Sequence, residues 1–301
     1  MGKRQLKPAE AFDLRQTLHV AVLVALMASR RWAPGELIFQ GGTSLHLVHG
    51  SPRFSEDLDF LVEDSLKLNS IGSSIQSRLA GTPWLPDDMG LIVTPAKDGR
   101  NPHVFDIAVS GEGVLGSVRV KVELWKTPAE ALKPLATEVR TVRLIVGRAA
   151  GAQAFVPTLE LREIFVDKVF AVAARPYLKP RDVFDLYWLA ERGEAQVCTD
   201  EDLAVRLATY PNETPANWLA KAAARRQELL DSAGKVKADL QRWLPPSWPL
   251  TDEKVQAMIE ASVAAIDRGA HGMRVLAGQR DAAIDVDVDA EPDPEAEAPA
   301  P

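Results

Sequence analysis

Two aspartates, Asp57 and Asp59, stand one residue apart in the string SPRFSEDLDFLV, and Gly41-Gly42-Thr43-Ser44 lies a short apolar stretch upstream. Residues 58–62 read as a buried strand, so side chains two apart leave from the same face and both carboxylates enter one volume. Carboxylates held close repel, and one takes up a proton near neutral pH unless a cation neutralises the pair. Mg²⁺, a hard cation usually held by one or two carboxylates plus substrate phosphates, is the expected partner. Upstream, Gly41 and Gly42 let the backbone approach a phosphate. The Thr43 and Ser44 hydroxyls and the first N–H groups of the following helix are the expected donors. Phosphate donors on one side and metal ligands on the other describe a nucleoside triphosphate site.

The elements that must position these groups are legible from periodicity. Residues 9–31 carry Leu14, Leu18, Val22 and Leu26 at helical spacing, and Ala33-Pro34-Gly35 ends that helix. A short strand over 37–39, a glycine turn, a helix from Ser44 and the strand over 58–62 follow. A helix over 65–80, with Ser65 as its cap, comes next. Strands are predicted over 91–94, 103–109 and 118–125. In the last of these Val118, Val120, Val122 and Leu124 alternate with Arg119, Lys121 and Glu123. The second half turns helical. Residues 158–175, with Thr158 as cap, carry an apolar stripe of Leu161, Ile164, Phe165, Val169 and Val172. Lys168 lies within that stripe, and an inward lysine needs a partner. Residues 181–192 form the next helix, with Asp182 and Asp185 on one face bordered by Arg181. Further helices are read over 200–208, 215–243 and 252–268.

Two strings together carry a resemblance. Gly-Gly-Thr-Ser, a short helix and RFSEDLDF, followed by LREIFVDKVFAVAARPYLKPRDVFDLYWL, resemble the AbiEii/AbiGii (MenT-like) nucleotidyltransferase toxins. That family has the polymerase-β-like nucleotidyltransferase fold, which implies an α/β (α+β) core sheet with a helical C-terminal domain. The resemblance implies Asp57 and Asp59 as metal ligands and Lys168 as the triphosphate lysine. Asp185 matches the aspartate of the second helix, and Arg181 and Asp182 the basic and acidic residues before it. It further implies a third carboxylate on a neighbouring strand, as ligand and proton acceptor. Glu123 is favoured for it over Asp106. The activity implied is transfer of a nucleoside monophosphate to a hydroxyl, with the tRNA 3′ end as acceptor. The biological setting implied is a bacterial toxin–antitoxin or phage abortive-infection pair, with an antitoxin encoded alongside. The residues themselves leave open a protein or small-molecule acceptor, or a nucleotide-binding regulator without turnover.

Composition bounds the rest. With 301 residues, 46% hydrophobic and 26% charged, the chain is expected to be globular, with more than one core. The expected division is a nucleotidyltransferase domain over 1–150, a helical domain over 151–275 closing the cleft, and a disordered acidic tail over 276–301. The formal charge is −7, but residues 281–301 hold eight acids and no Lys or Arg, which leaves +1 for residues 1–280. The body therefore shows no strongly basic stripe of the kind common in RNA enzymes. No apolar run is long enough to span a membrane, and the single cysteine, Cys198, suits a reducing cytoplasm and reads as a packed residue. The five histidines have no metal-ligand spacing, and Trp218, Trp243 and Trp248 read as helix-packing residues rather than base-stacking ones.

Overall fold

The computed structural model describes residues 3–80, 82–95, 101–143, 151–210 and 212–288. Its strands are β1 (Arg4–Gln5), β2 (Leu37–Gln40), β3 (Leu58–Glu63), β4 (Gly90–Pro95), β5 (His103–Ser110), β6 (Val114–Leu115), β7 (Val118–Thr127), β8 (Thr137–Arg143) and β9 (Gln153–Leu159). Seven of them form one mixed sheet in the order β4-β5-β7-β3-β2-β9-β8, and β1 pairs with β6 apart from it. The helices are α1 (Pro8–Met27), α2 (Gly41–Leu47), α3 (Ile71–Leu79), α4 (Ala129–Leu132), α5 (Leu161–Ala174), α6 (Pro180–Ala190), α7 (Asp200–Ala208), α8 (Pro215–Leu230), α9 (Ala233–Leu240) and α10 (Asp252–Val288). The mixed α/β class with a helical second half is the one the sequence pattern predicts.

The alternation of β7 sorts the two faces of the sheet. Val118, Val120, Val122 and Leu124 enter a core shared with Phe39 of β2, Phe60 of β3 and the α1 residues Leu18, Val22 and Leu26. On the opposite face, Ile38, Leu61 and Leu159 join a second core built with α5, α6, α8 and α10. That helical cover does not reach across β7, where Trp125 stays 40% exposed. A cleft is left between the polar face of β3 and β7 and the first turns of the helical half.

Several predicted elements differ. Residues 65–70 are not helical, and Ser65 Oγ bonds Glu63 Oε1 at 2.5 Å instead of capping a helix. The helix predicted over 215–243 is two, α8 and α9, which separate at Asp231 and Ser232. Strands β8 and β9 were not foreseen. Thr158 is the penultimate residue of β9 rather than a helix cap, and its Oγ1 donates to the Phe39 carbonyl at 3.0 Å. Pro157 conceals this strand, because proline ordinarily breaks a central ladder. Here Pro157 lies opposite Val139, and β9 meets β2 in register only at Phe39↔Thr158. The sheet thus extends to Leu159, past residue 150, and α10 continues to Val288, past residue 276. Residues 289–301 of the acidic tail lie outside the described residues.

Candidate active site

Register brings the acids together. Gln40 pairs with Asp59 across β2 and β3, and Asp59 pairs with Glu123 across β3 and β7, so the three form one row across the sheet. Paired residues of adjacent strands project from the same face. Glu123 therefore stands beside Asp59 on the face that lacks helical cover. Asp106 is displaced from this row: it pairs with Lys121, is exposed, and does not line the cleft. Asp57 sits in the loop that leads into β3, and its carbonyl accepts a hydrogen bond from Thr43 Oγ1. The cleft has a volume of about 680 Å³, and Asp57, Asp59 and Glu123 line it together with Gly41 and Gly42. Gly41 has φ +77°, and a Cβ there would lie 2.7 Å from Asp59 Oδ2, so only glycine fits. Burial first, then the charges of Glu123 and Asp57, push the Asp59 carboxyl up to about 6.

The facing wall is cationic and comes from α5 and α6. Lys168 Nζ, buried in the apolar stripe of α5, lies 2.6 Å from Asp182 Oδ1 and 2.9 Å from Asp185 Oδ2. Burial alone would drive its ammonium toward neutrality, but Asp182 and Asp185 outweigh this and hold its pKa above the usual lysine value. Asp185 is fully buried and grips Arg53 in a two-pronged pair, Nε–Oδ1 at 2.7 Å and Nη2–Oδ2 at 2.8 Å. Asp182 also pairs with Arg175 Nε at 3.0 Å. Burial opposes the ionisation of Asp182, yet Lys168, Arg175 and Lys179 hold its carboxyl well below the usual range. Lys179 has the opposite environment: burial and the nearby Arg175 lower its pKa. Arg181 lies over the Trp243 ring, 4.3 Å from its centroid, and lines the same cleft.

Of the residues singled out from sequence, Gly41, Gly42, Asp57, Asp59, Glu123, Lys168, Arg181 and Asp182 line this one cleft. Two hydroxyls assigned to phosphate are engaged elsewhere. Thr43 Oγ1 is turned to the Asp57 carbonyl, and Ser44 Oγ shares a buried 2.7 Å hydrogen bond with Thr158 Oγ1. Both side chains are fully buried, so the donors left at the turn are the backbone N–H groups. Asp185 lies behind the wall, where it holds Lys168 and Arg53. Sequence reasoning passed over Arg53, Arg175 and Lys179, although Arg53 lies inside RFSEDLDF and Lys179 inside KPRD. Nothing local marks Arg53 as paired, since its partner is 132 residues away.

Other groups are structural. Trp218 is buried and its Nε1 donates to the Phe170 carbonyl, and Trp248 packs edge-on against Phe184. Burial pushes the Cys198 thiol up to about 11, so it stays protonated and unreactive. Among the described residues no three His, Cys, Asp or Glu stand close enough to enclose a metal ion by themselves. Carboxylates that supply only part of a shell of oxygen donors suit Mg²⁺, which retains water and binds through substrate phosphates as well.

The family profile described as nucleotidyl transferase AbiEii toxin, type IV TA system, matches residues 25–261. A comparison with curated protein sequences gives no match. Several solved structures overlay on most of the chain. JHP933 from Helicobacter pylori shares 18% identity, covers 92% of this chain and 98% of its own, and gives a TM-score of 0.43. MenT4, a nucleotidyltransferase toxin from Mycobacterium tuberculosis H37Rv, shares 20% identity over 88% of this chain and 85% of its own, with a TM-score of 0.48.

Proposed function

The chain belongs to the AbiEii family, the nucleotidyl transferase toxins of type IV toxin–antitoxin systems, and from that premise we propose that it moves a nucleoside monophosphate from a nucleoside triphosphate onto the 3′ hydroxyl of a tRNA. In this reading the acceptor oxygen bonds to the α-phosphorus, the bond to the β-phosphate oxygen breaks, and pyrophosphate leaves. Asp57, Asp59 and Glu123 would hold the divalent cations, Mg²⁺ in our proposal. When bound, these polarise the α-phosphate and offset the charge that develops there. Glu123, beside Asp59 on the open face, takes the proton of the attacking hydroxyl. Lys168 presents a fixed positive charge, because Asp182 and Asp185 keep it protonated in spite of burial. Arg175, Lys179 and Arg181 extend that charge along the wall against which a triphosphate would lie.

The observation that carries the reading is the row Gln40–Asp59–Glu123, opening onto a cleft whose other wall holds Lys168 and its paired acids. Among the described residues no helix is long and apolar enough to cross a membrane. We place the enzyme in the bacterial cytoplasm with its antitoxin. The test is to incubate the protein with total tRNA, cellular protein, Mg²⁺ and each α-labelled triphosphate in turn. Label is expected in the tRNA fraction and absent with the Asp57→Ala/Asp59→Ala variant. Label confined to protein would overturn the tRNA acceptor.

A further inference from the structure

Two large aromatic side chains stand exposed in a cleft otherwise lined mainly by charged and polar groups. Trp125 is 40% and Tyr177 is 61% exposed, and both line the cleft that holds the carboxylates. The other exposed large apolar residues, among them Phe12, Val139 and Phe155, do not line it. Trp125 is placed by the strand that carries Glu123. It comes two residues later in β7, so it projects from the same face about 7 Å further along. Its neighbour in the next strand is Leu61, which also lines the cleft, so the sheet offers a small apolar floor beside the acids. Tyr177 belongs to the connection between α5 and α6, on the helical side.

Strand order separates this floor from the phosphate side. Going across β2, β3 and β7, Gly41 and Gly42 open α2 directly after β2, Asp59 stands on β3, and Glu123 and Trp125 stand on β7. The glycine turn and Trp125 therefore flank Asp59 on opposite sides. A triphosphate that uses the turn and the lysine wall occupies the first side. The group whose hydroxyl must reach Glu123 arrives from the second. An exposed indole there, with Tyr177 of the helical half and Lys121, Lys126 and Asn101 lining the same cleft, suits an unstacked base attached to a phosphate backbone.

We propose that Trp125 is the stacking platform for the terminal base of a single-stranded nucleic-acid acceptor, with Tyr177 bearing on the same base. The proposal rests on the nucleic-acid reading of the acceptor and adds a subsite to it. The base lies on Trp125, its ribose hydroxyl points back along β7 to Glu123, and specificity for the unpaired end follows, because a base within a duplex cannot lie on the ring.

The test is binding without turnover. Fluorescence anisotropy of a labelled single-stranded RNA ending in a free 3′ hydroxyl is measured with the full chain, Trp125→Ala, Trp125→Phe and Tyr177→Ala. Trp125→Ala should weaken binding about tenfold or more, the size of a lost base–aromatic stack, and Trp125→Phe should restore most of it. In parallel, the KM for the triphosphate should stay within about twofold of the native value, while that for the acceptor rises. Equal RNA binding by the native protein and Trp125→Ala would overturn the subsite, as would an increase confined to the triphosphate KM, which would place the donor base on the ring. An RNA that fails to bind the native chain also overturns it. Binding that depends on Trp125 but leads to no nucleotide transfer would keep the subsite and remove the transferase reading instead.

Discussion

Replacing Gly41 by alanine would set a methyl group 2.7 Å from Asp59 Oδ2, on a backbone at φ +77° that costs an L-residue about 1–2 kcal/mol. We expect Gly41→Ala to fold and to lose nucleotide transfer, as read by label incorporation beside a thermal melt. Asp59 itself titrates near pH 6 in the unliganded protein, pushed up by burial and by Glu123 and Asp57. A cation needs the ionised form, so affinity for Mg²⁺ with a triphosphate should be flat above that pH and fall as pH drops through it, approaching tenfold per unit. Calorimetric titration between pH 8 and 5 checks this, and a flat profile would remove Asp59 from the ligand set. Arg53 is the residue on which the hidden part of the network turns. Arg53→Ala leaves the buried Asp185 with only Lys168 opposite it and should cost about 3–5 kcal/mol. Arg53→Lys keeps the charge but loses the two-pronged grip, and in denaturant it should fall between the native protein and the alanine variant.

At the scale of elements, the loop that delivers Asp57 is tied to the long first helix by His19. The buried ring donates from Nε2 to the Glu56 carbonyl at 2.8 Å, and Nδ1 has no partner among the described residues. Burial pushes this histidine down to about 4. Its folded value lies below its unfolded one, so its contribution is complete above pH 6.5 and is lost as pH falls toward 4, by about 3 kcal/mol in all. His46 and His49 are lowered by burial too and act in the same direction below pH 6.5. His19→Gln should therefore flatten, without abolishing, the decline of stability between pH 6.5 and 4 in urea unfolding. The convergence of Asp57 and Asp59 on one cleft was legible in the sequence, but not for the reason expected, since Asp57 lies in the loop just before β3 rather than on the strand. The polar face of β7 was legible from its two-residue period. The sequence did not show that β7 lies next to β3, since that parallel pairing is set by a crossover between distant segments, so the preference for Glu123 over Asp106 rested on the family resemblance rather than on register. Thr43 and Ser44 were visible as hydroxyls but not in direction, while Pro157 hid β9, and β8, TEVRTVR, carries no strict apolar–polar alternation.

Across the whole molecule, the sheet divides two cores and the site lies where the second one ends. Phe39, Phe60 and the β7 valines are sealed by α1, while Ile38, Leu61 and Leu159 are sealed by the helical half, and the row from Gln40 to Glu123 lines the cleft left between them. The carboxylate wall belongs to the sheet, and most of the cationic wall to the helices, so the two kinds of charge meet only when both cores are formed. Arg53 and Asp185 cross that junction, which makes the pair a brace between the halves. The central claim is the chemistry assigned to this meeting of walls, and the position of the transferred phosphorus tests it most directly. Native protein is incubated with Mg²⁺, tRNA and a triphosphate labelled at either the α- or the γ-phosphate, with pyrophosphate measured alongside. The result expected is α-label in the tRNA with an equal amount of pyrophosphate, both lost in Asp59→Asn. Label from the γ-phosphate in the tRNA, or α-label without pyrophosphate, would contradict nucleotidyl transfer at these acids.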